Sequence, residues 1–367
     1  MIQAPEIIAE AGSNHNGDRA RAMALIDLAS HAGASSVKFQ FIFAEGLYVP
    51  AYFDGKGYVE NPVFDQRRAE ELSDADWNAI WAHAGAQGMA VSASVFCDRG
   101  VALLARLGAP YVKIASTDLT NHALIGQACS AFERVIVSTG MAALAEIDAM
   151  VRFVRSRHPQ TDLQLMHCVS SYPCPLADAN TQRVALLRQG FALPVGYSDH
   201  TDGLVSAAMA LVQGATFFEK HFTTDRSLPG FDHAHAMDGP GLAAYVRGLR
   251  EAATSLGRPA NALAADERVT KVRARRGVYA ARDLPRGHVL RPEDLLFVRP
   301  STAFESSDPS ELVGQPLAHD TPRYAALGVG GAVQIVQSHW QEARAHWGRE
   351  MREKGMRLES PSDGVDD

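Results

Sequence analysis

Residues 194–223 read PVGYSDHTDGLVSAAMALVQGATFFEKHFT. Two short β-prone runs, 194–200 and 215–223, flank a helix-periodic segment at 203–213, and both place a histidine near their C-terminal end, His200 and His221. This is the strand–helix–strand unit of a parallel sheet, in which a crossover helix returns the chain to the same sheet edge.

The same cadence recurs upstream. Short β-rich runs lie at 6–12, 35–42, 89–96, 111–116, 134–140 and 163–171, separated by helix-periodic stretches such as 19–32, 74–88 and 143–157. Eight strands alternating with helices over roughly 250 residues is the arithmetic of an α/β (β/α)₈ TIM barrel. An open doubly wound sheet is the rival architecture, but no GxGxxG turn follows the first run, against its dinucleotide-binding form. The connection at 44–73 is long and carries Tyr48, Tyr52, Phe53, Gly55, Gly57 and Pro62, as expected of an active-site lid after a barrel strand. The expected organisation is a catalytic barrel at 1–257, a polar linker at 258–276, a compact unit with Pro/Gly punctuation at 277–328, and a tail at 329–367, helical and then disordered.

Composition narrows the function. The chain has 367 residues, 46% hydrophobic and 21% charged, enough for a sizeable core beside a smaller unit. A net charge of −7, from 35 basic against 42 acidic residues, speaks against a nucleic-acid footprint. The four cysteines, Cys97, Cys129, Cys168 and Cys174, show no CxxC spacing and fit reduced thiols. No apolar run approaches the about 20 residues of a membrane span, and the N-terminus lacks a leader pattern; a cytoplasmic protein is expected.

A barrel concentrates chemistry at the C-terminal ends of its strands. Those ends here hold Glu10, Lys38 with Gln40, Ser92 with Ser94, Lys113 with Ser116, Ser138-Thr139-Gly140, His167 with Ser170-Ser171-Tyr172, Ser198-Asp199-His200 and Glu219-Lys220-His221. His200 and His221 close adjacent strands and are expected to converge on one divalent ion with oxygen partners, a set that suits Mn²⁺, Co²⁺, Fe²⁺ or Zn²⁺ better than Mg²⁺. Lys38 and Lys113 sit mid-strand, where a buried lysine needs a partner. An anionic substrate with hydroxyls from Ser94, Ser116, Ser138 and Ser198 is one such partner, and a structural network with Glu10, Glu219 or Asp199 is another. Glu10 and Asp232 are the acid/base candidates. Near Asp232, His233 and His235 raise the option of a second metal centre, but one ligand, His221, plus loop histidines is the preferred reading.

The stretches IIAEAGSNHNG (7–17), VKFQ (37–40), YVKIAS (111–116), VSTGM (137–141), LMHCVSSYP (165–173), VGYSDHT (195–201) and EKHFTTDRSLPGFDH (219–233) resemble the sialic acid synthase family, which includes N-acetylneuraminate, legionaminate and pseudaminate synthases. Residues 275–295, RRGVYAARDLPRGHVLRPEDL, with VRP (298–300) and ELVGQPLAHD (311–320), resemble that family's C-terminal antifreeze-like (SAF, β-clip type) domain. The resemblance implies condensation of phosphoenolpyruvate with an N-acetylmannosamine-like aldehyde, with water added at C2 and phosphate lost by C–O cleavage. It implies His200 and His221 as ligands of Mn²⁺, with Co²⁺ or Mg²⁺ as substitutes. Glu10, Lys113 and Asp232 become catalytic, and Lys38, Ser94, Ser116, Ser138, Ser170 and Ser198 hold phosphoenolpyruvate. Tyr172, Asp232 and Arg299 contact the sugar, Arg299 from the partner in a domain-swapped homodimer. Two departures stand out: Ser170 replaces a common Asn, and Ser301-Thr302-Ala303 replaces a glycine-containing turn after Arg299-Pro300. A synthase resembling 3-deoxy-octulosonate phosphate synthase and a non-catalytic sugar-binding homologue are the alternatives.

Overall fold

The computed structural model describes residues 4–257, 263–302 and 309–327. The chain divides into two units, Met1–Arg258 and Pro259–Asp367.

The first unit is the expected barrel. Its strands are β1 (Glu6–Gly12) and β2 (Ser36–Phe41), then, after a small antiparallel hairpin of β3 (Ala51–Phe53) and β4 (Tyr58–Glu60), β5 (Ala90–Val95), β6 (Val112–Ile114), β7 (Arg134–Ser138), β8 (Asp162–His167), β9 (Val195–Asp199) and β10 (Phe217–His221). The eight barrel strands run in the closed order β1-β10-β9-β8-β7-β6-β5-β2, and parallel pairing of β1 with β10 sets Glu10 opposite His221. Helices follow because each inter-strand segment carries an apolar stripe and a stop or start signal. The helix Arg19–Ala32 starts where the Asp18 side chain accepts from the amides of Ala20 and Arg21, buries Ala22, Leu25, Ile26 and Ala29, and ends on left-handed Gly33. Ser73 and Asp76 form a reciprocal cap on Asp74–Ala86; a cap of this kind contributes about 1 kcal/mol.

Alternation along each strand divides the residues between two cores. Ile7, Ala9, Val37, Phe39, Val91, Ala93, Val112, Val135, Val137, Leu163, Val195 and Phe218 belong to the large core between strands and helices. Ile8, Tyr111, Ile136, Met166 and Phe217 form a separate buried cluster inside the barrel. Two residues further along the same strands stand Glu10, Lys113, Ser138, Cys168 and Glu219. The apolar plug is therefore the floor of the site, each of its side chains contributing about 1.5–3 kcal/mol by burial.

The long connection after β2 folds into a helix at Ala44–Leu47, the β3–β4 hairpin and a helix at Pro62–Ala69.

The second unit holds an antiparallel pair, β11 (Gly277–Ala280) and β12 (Leu295–Val298), around a core of Val278, Ala280, Leu284, Leu290, Leu295, Leu312, Leu317 and Leu327. Asp294 is fully buried there, accepting from Arg282 at 2.7 Å and facing His288 Nε2 at 2.6 Å. The stretch 258–276, read from sequence as a linker, contains a helix at Ala265–Ala274. Residues 329–367, the expected tail, lie outside the described residues.

Candidate active site

The barrel mouth assembles around four buried charges. Lys38 Nζ lies 2.6 Å from Glu10 Oε2 and 3.6 Å from Glu219 Oε2, and donates to Ser94 Oγ at 2.8 Å. Lys113 Nζ reaches the same Glu219 oxygen at 3.1 Å. Gln40 donates to the other oxygen of Glu10 at 3.1 Å. The two carboxylates part ways electrostatically. Burial pushes the Glu10 carboxyl up to about 7, with Lys38 opposing and the charge of Glu219 reinforcing the rise. Burial acts on Glu219 in the same sense, but Lys113, Lys38 and the Ser198 hydroxyl overcome it and hold that carboxyl far below its usual range. Two carboxyls separated in this way suit different tasks, Glu219 as a fixed anion and Glu10 as a proton carrier near neutrality.

Imidazoles gather beside this network. His200 and His221 have ring centroids 5.6 Å apart, and His235 lies 5.3 Å from His221. Tyr172 covers the group, its ring 4.2 Å from His200, 5.9 Å from His221 and 5.1 Å from His235. His200 Nδ1 lies 2.6 Å from the Val169 carbonyl, a contact that makes Nδ1 the protonated nitrogen and leaves a lone pair on Nε2. That nitrogen is 3.1 Å from Ser198 Oγ, whose proton is directed to Glu219 at 2.8 Å. Burial, with His221 adding to it, lowers the His200 pKa to about 3; burial also lowers that of His221 to about 3, against the pull of Glu219. Both are neutral at pH 7, the form a metal ligand requires. His221 Nδ1 is buried without a hydrogen-bond partner, and Asp232 Oδ2 stands 3.8 Å from it. This donor set fits a divalent cation.

A third cluster forms at Gly140. Its amide donates to Ser116 Oγ at 3.1 Å, and a Cβ on Gly140 would meet Ser170 Oγ at 2.6 Å, Ser116 Oγ at 2.7 Å and Cys168 Sγ at 2.9 Å. Ser138, ending β7, is buried two residues before it. The crowd of hydroxyls around a side-chain-free residue is suited to an oxyanion.

The loops that hold Asp232 explain the SNHNG run after β1. Asn14 donates to the Phe222 carbonyl at 2.8 Å and Asn16 to the Pro229 carbonyl at 2.7 Å. Asp232 then packs over Gly12, where φ is +54° and a Cβ would stand 2.9 Å from Asp232 Oδ2. His233 is fully buried with both ring nitrogens engaged, by Thr223 Oγ1 at 2.7 Å and Asn16 Oδ1 at 3.3 Å, so it is a structural residue.

The structure thus brings Glu10, Lys38, Ser94, Lys113, Ser198, His200, His221, Asp232 and Tyr172 together, with Ser116 and Ser170 grouped around Gly140 and Ser138 buried at the end of β7. Three residues expected at the mouth are not there. His167 turns to the outer side of the barrel, against Tyr197, with Nε2 3.0 Å from the Ala179 carbonyl. Asp199 and Lys220 also face outward and pair at 3.2 Å, so Asp199 is not a partner of Lys38 or Lys113. Strand alternation is the reason: each stands one residue from an inward position. Arg299 follows β12, exposed, in the second unit. Beyond it, Ser301 bonds the Val272 carbonyl through both amide and hydroxyl at 2.9 Å, and Ala303 lies outside the described residues.

Sequence reasoning missed Cys168, which continues the inward parity of Gln164 and Met166. It also missed Arg67, buried in the β2 insertion, which donates to Ser13 Oγ at 2.9 Å and stacks 3.9 Å over the Phe231 ring beside Asp232. No periodic signal marks that position.

Fold and site together define a (β/α)₈ barrel whose mouth carries two buried lysines, two buried carboxylates and converging imidazoles. The NeuB family profile matches residues 25–261 and the SAF domain profile residues 275–323. The chain is 35% identical over 321 residues to the N,N'-diacetyllegionaminic acid synthase of Legionella pneumophila, covering 85% of this chain and 90% of that one. It is 30% identical to the pseudaminic acid synthase of Campylobacter jejuni, covering 88% and 95%. Among solved structures, the N-acetylneuraminic acid synthetase of Leptospira borgpetersenii, in complex with citrate, aligns with a TM-score of 0.65 at 30% identity, covering 72% of this chain and 90% of that one. The chain belongs to the NeuB family.

Proposed function

We propose that this chain is a nonulosonic acid synthase that joins C3 of phosphoenolpyruvate to the aldehyde carbon of an open-chain, N-acetylmannosamine-like sugar. Water adds at C2 and inorganic phosphate leaves with C–O cleavage, so one α-keto acid and one phosphate form per turn. The observation that carries the reading is the buried Glu10–Lys38–Glu219–Lys113 network, placed beside three converging imidazoles at the mouth of the barrel.

Lys38 and Lys113 hold the anionic groups of phosphoenolpyruvate, and Ser94, Ser116, Ser138 and Ser170 donate to its oxygens, while Ser198 lines the same anion site with its proton on Glu219. At Ser170 that contact is made by a hydroxyl. Glu10, held at about 7, takes a proton from the incoming water and returns one to the new alkoxide. Tyr172 and Asp232 orient the sugar over the imidazoles, fixing two reactants in one geometry. His200 and His221 hold a divalent ion, Mn²⁺ in preference to Co²⁺ or Mg²⁺, which when bound polarises the aldehyde as a Lewis acid.

Arg299 contacts the acceptor from the partner subunit of a domain-swapped homodimer, a reading supported by the family resemblance of residues 275–320. No helix among the described residues is long and apolar enough to cross a membrane; the enzyme works in the cytoplasm on small molecules. The phosphorylated-acceptor and non-catalytic alternatives are less favoured, because the C-terminal SAF domain and the complete polar mouth are both present. Incubation with phosphoenolpyruvate, Mn²⁺ and a panel of phosphate-free N-acylated hexosamines, read by mass spectrometry, tests the reading. A product with the mass of the nine-carbon acid is expected, and turnover of phosphorylated sugars alone would contradict it.

A further inference from the structure

By sequence His235 reads as a loop histidine, yet its surroundings match those of a ligand. Its Nε2 is buried with no hydrogen-bond partner, as is Nδ1 of His221. Asp232 lies between them, Oδ1 3.8 Å from His235 Nε2 and Oδ2 3.8 Å from His221 Nδ1. One ligand atom from each of these three residues lies within 4.8 Å of the others. Two buried imidazole nitrogens without a hydrogen-bond partner are costly, and at 3.8 Å the Asp232 oxygens lie outside hydrogen-bond reach of both. A cation at the centre satisfies all three. His233, two residues earlier, is the internal contrast, since both its nitrogens are occupied.

We infer that His235 is a protein ligand of the site's divalent cation, closing a three-donor set with His221 and Asp232 beside His200. This rests on the metal-dependent reading above and goes further in two respects. It makes the 223–238 loop part of the metal centre, and it gives the protein enough donors to retain the ion before either substrate arrives. Asp232 then serves two ends, one oxygen to the cation and the other to the sugar. The hydrogen bonds from Asn14 and Asn16 that pin this loop become supports of the cation site.

The test uses the full chain and Mn²⁺ alone, without substrates. Titration calorimetry measures affinity, and pulsed electron paramagnetic resonance counts the imidazole nitrogens coupled to the bound Mn²⁺. His235→Ala is expected to bind Mn²⁺ about 10- to 100-fold more weakly and to lose one coupled nitrogen. His235→Gln, which keeps the side-chain volume, should show the same nitrogen loss with the metal-free melting temperature unchanged, separating ligation from folding. Wild-type affinity and nitrogen count in both variants, with the loss appearing only in His200→Ala, would overturn the inference and leave the synthase reading intact. A wild-type protein that binds no Mn²⁺ would overturn it as well.

Discussion

At the scale of single residues, two buried carboxylates share a lysine and differ in task. Glu219 is held ionised by Lys113, Lys38 and Ser198, so it fixes both lysines in place; Glu10, kept at about 7, is half-protonated near neutrality. The sign of the pH effect follows. If ionised Glu10 is the working form in the free enzyme, kcat/KM rises as pH increases through about 7, where the raised carboxyl loses its proton. Glu10→Gln should remove that acidic limb and lower kcat by about 10²- to 10⁴-fold, measured by phosphate release across pH 5.5 to 9 (roughly the range that brackets this titration). An unchanged limb in the variant would assign it to another group. Lys113→Met should reduce kcat/KM for phosphoenolpyruvate by about 100-fold or more, because it strips a cation from the anion site and leaves Glu219 under-compensated. Most of these residues were legible in the sequence because ionisable groups are rare in barrel strands. What stayed hidden was parity. The notations Ser198-Asp199-His200 and Glu219-Lys220-His221 each contain one residue facing the helices, and only the position of the apolar plug shows which.

At the scale of elements, the loops after β1, β2 and β10 act as one assembly. Arg67 from the β2 insertion donates to Ser13 and stacks on Phe231, next to Asp232. Arg67→Ala should therefore loosen the acceptor side first, with kcat/KM for the sugar falling roughly 10-fold or more while the KM for phosphoenolpyruvate moves little. Steady-state kinetics with each substrate varied in turn decides this, and equal losses on both substrates would reject it. Gly12→Ala should be at least as harmful, as it strains a positive-φ residue and places a methyl 2.9 Å from Asp232 Oδ2. The strand–helix alternation was readable because parallel strands buried on both faces are short apolar runs between amphipathic segments. The internal structure of residues 44–73 was not, since an excursion outside the barrel has no core face to impose a period. The helix Ala265–Ala274 went unread for a related reason: its sequence ADERVTKVRA is mostly charged and has no fully buried residue.

At the scale of the whole molecule, the second unit has its own core and its own buried ion. Burial opposes ionisation of Asp294, but His288 and Arg282 outweigh it and hold its carboxyl at about 2, below the usual carboxylate range. A depressed folded-state pKa contributes stability above the unfolded value of 3.8 and loses it as pH falls through about 2. Asp294→Asn should therefore destabilise this unit at neutral pH, by about 2 kcal/mol, an effect seen as an earlier denaturant midpoint. Domain swapping has a sharper test. His221→Ala and Arg299→Ala proteins, each inactive or impaired alone, should together regain about a quarter of wild-type activity after subunit exchange, because one site in each mixed dimer is then complete. No recovery would place Arg299 in the site of its own chain or outside it. The central claim, carbon–carbon bond formation with phosphate lost from C2, is tested most directly by phosphoenolpyruvate carrying ¹⁸O in its C2–O–P bridge. With Mn²⁺ and an N-acetylated mannosamine acceptor, the label is predicted to leave entirely in inorganic phosphate, while the mass of the new keto acid shows unlabelled oxygen from water at C2. Label retained in the organic product, or phosphate released without a new sugar acid, would contradict the account.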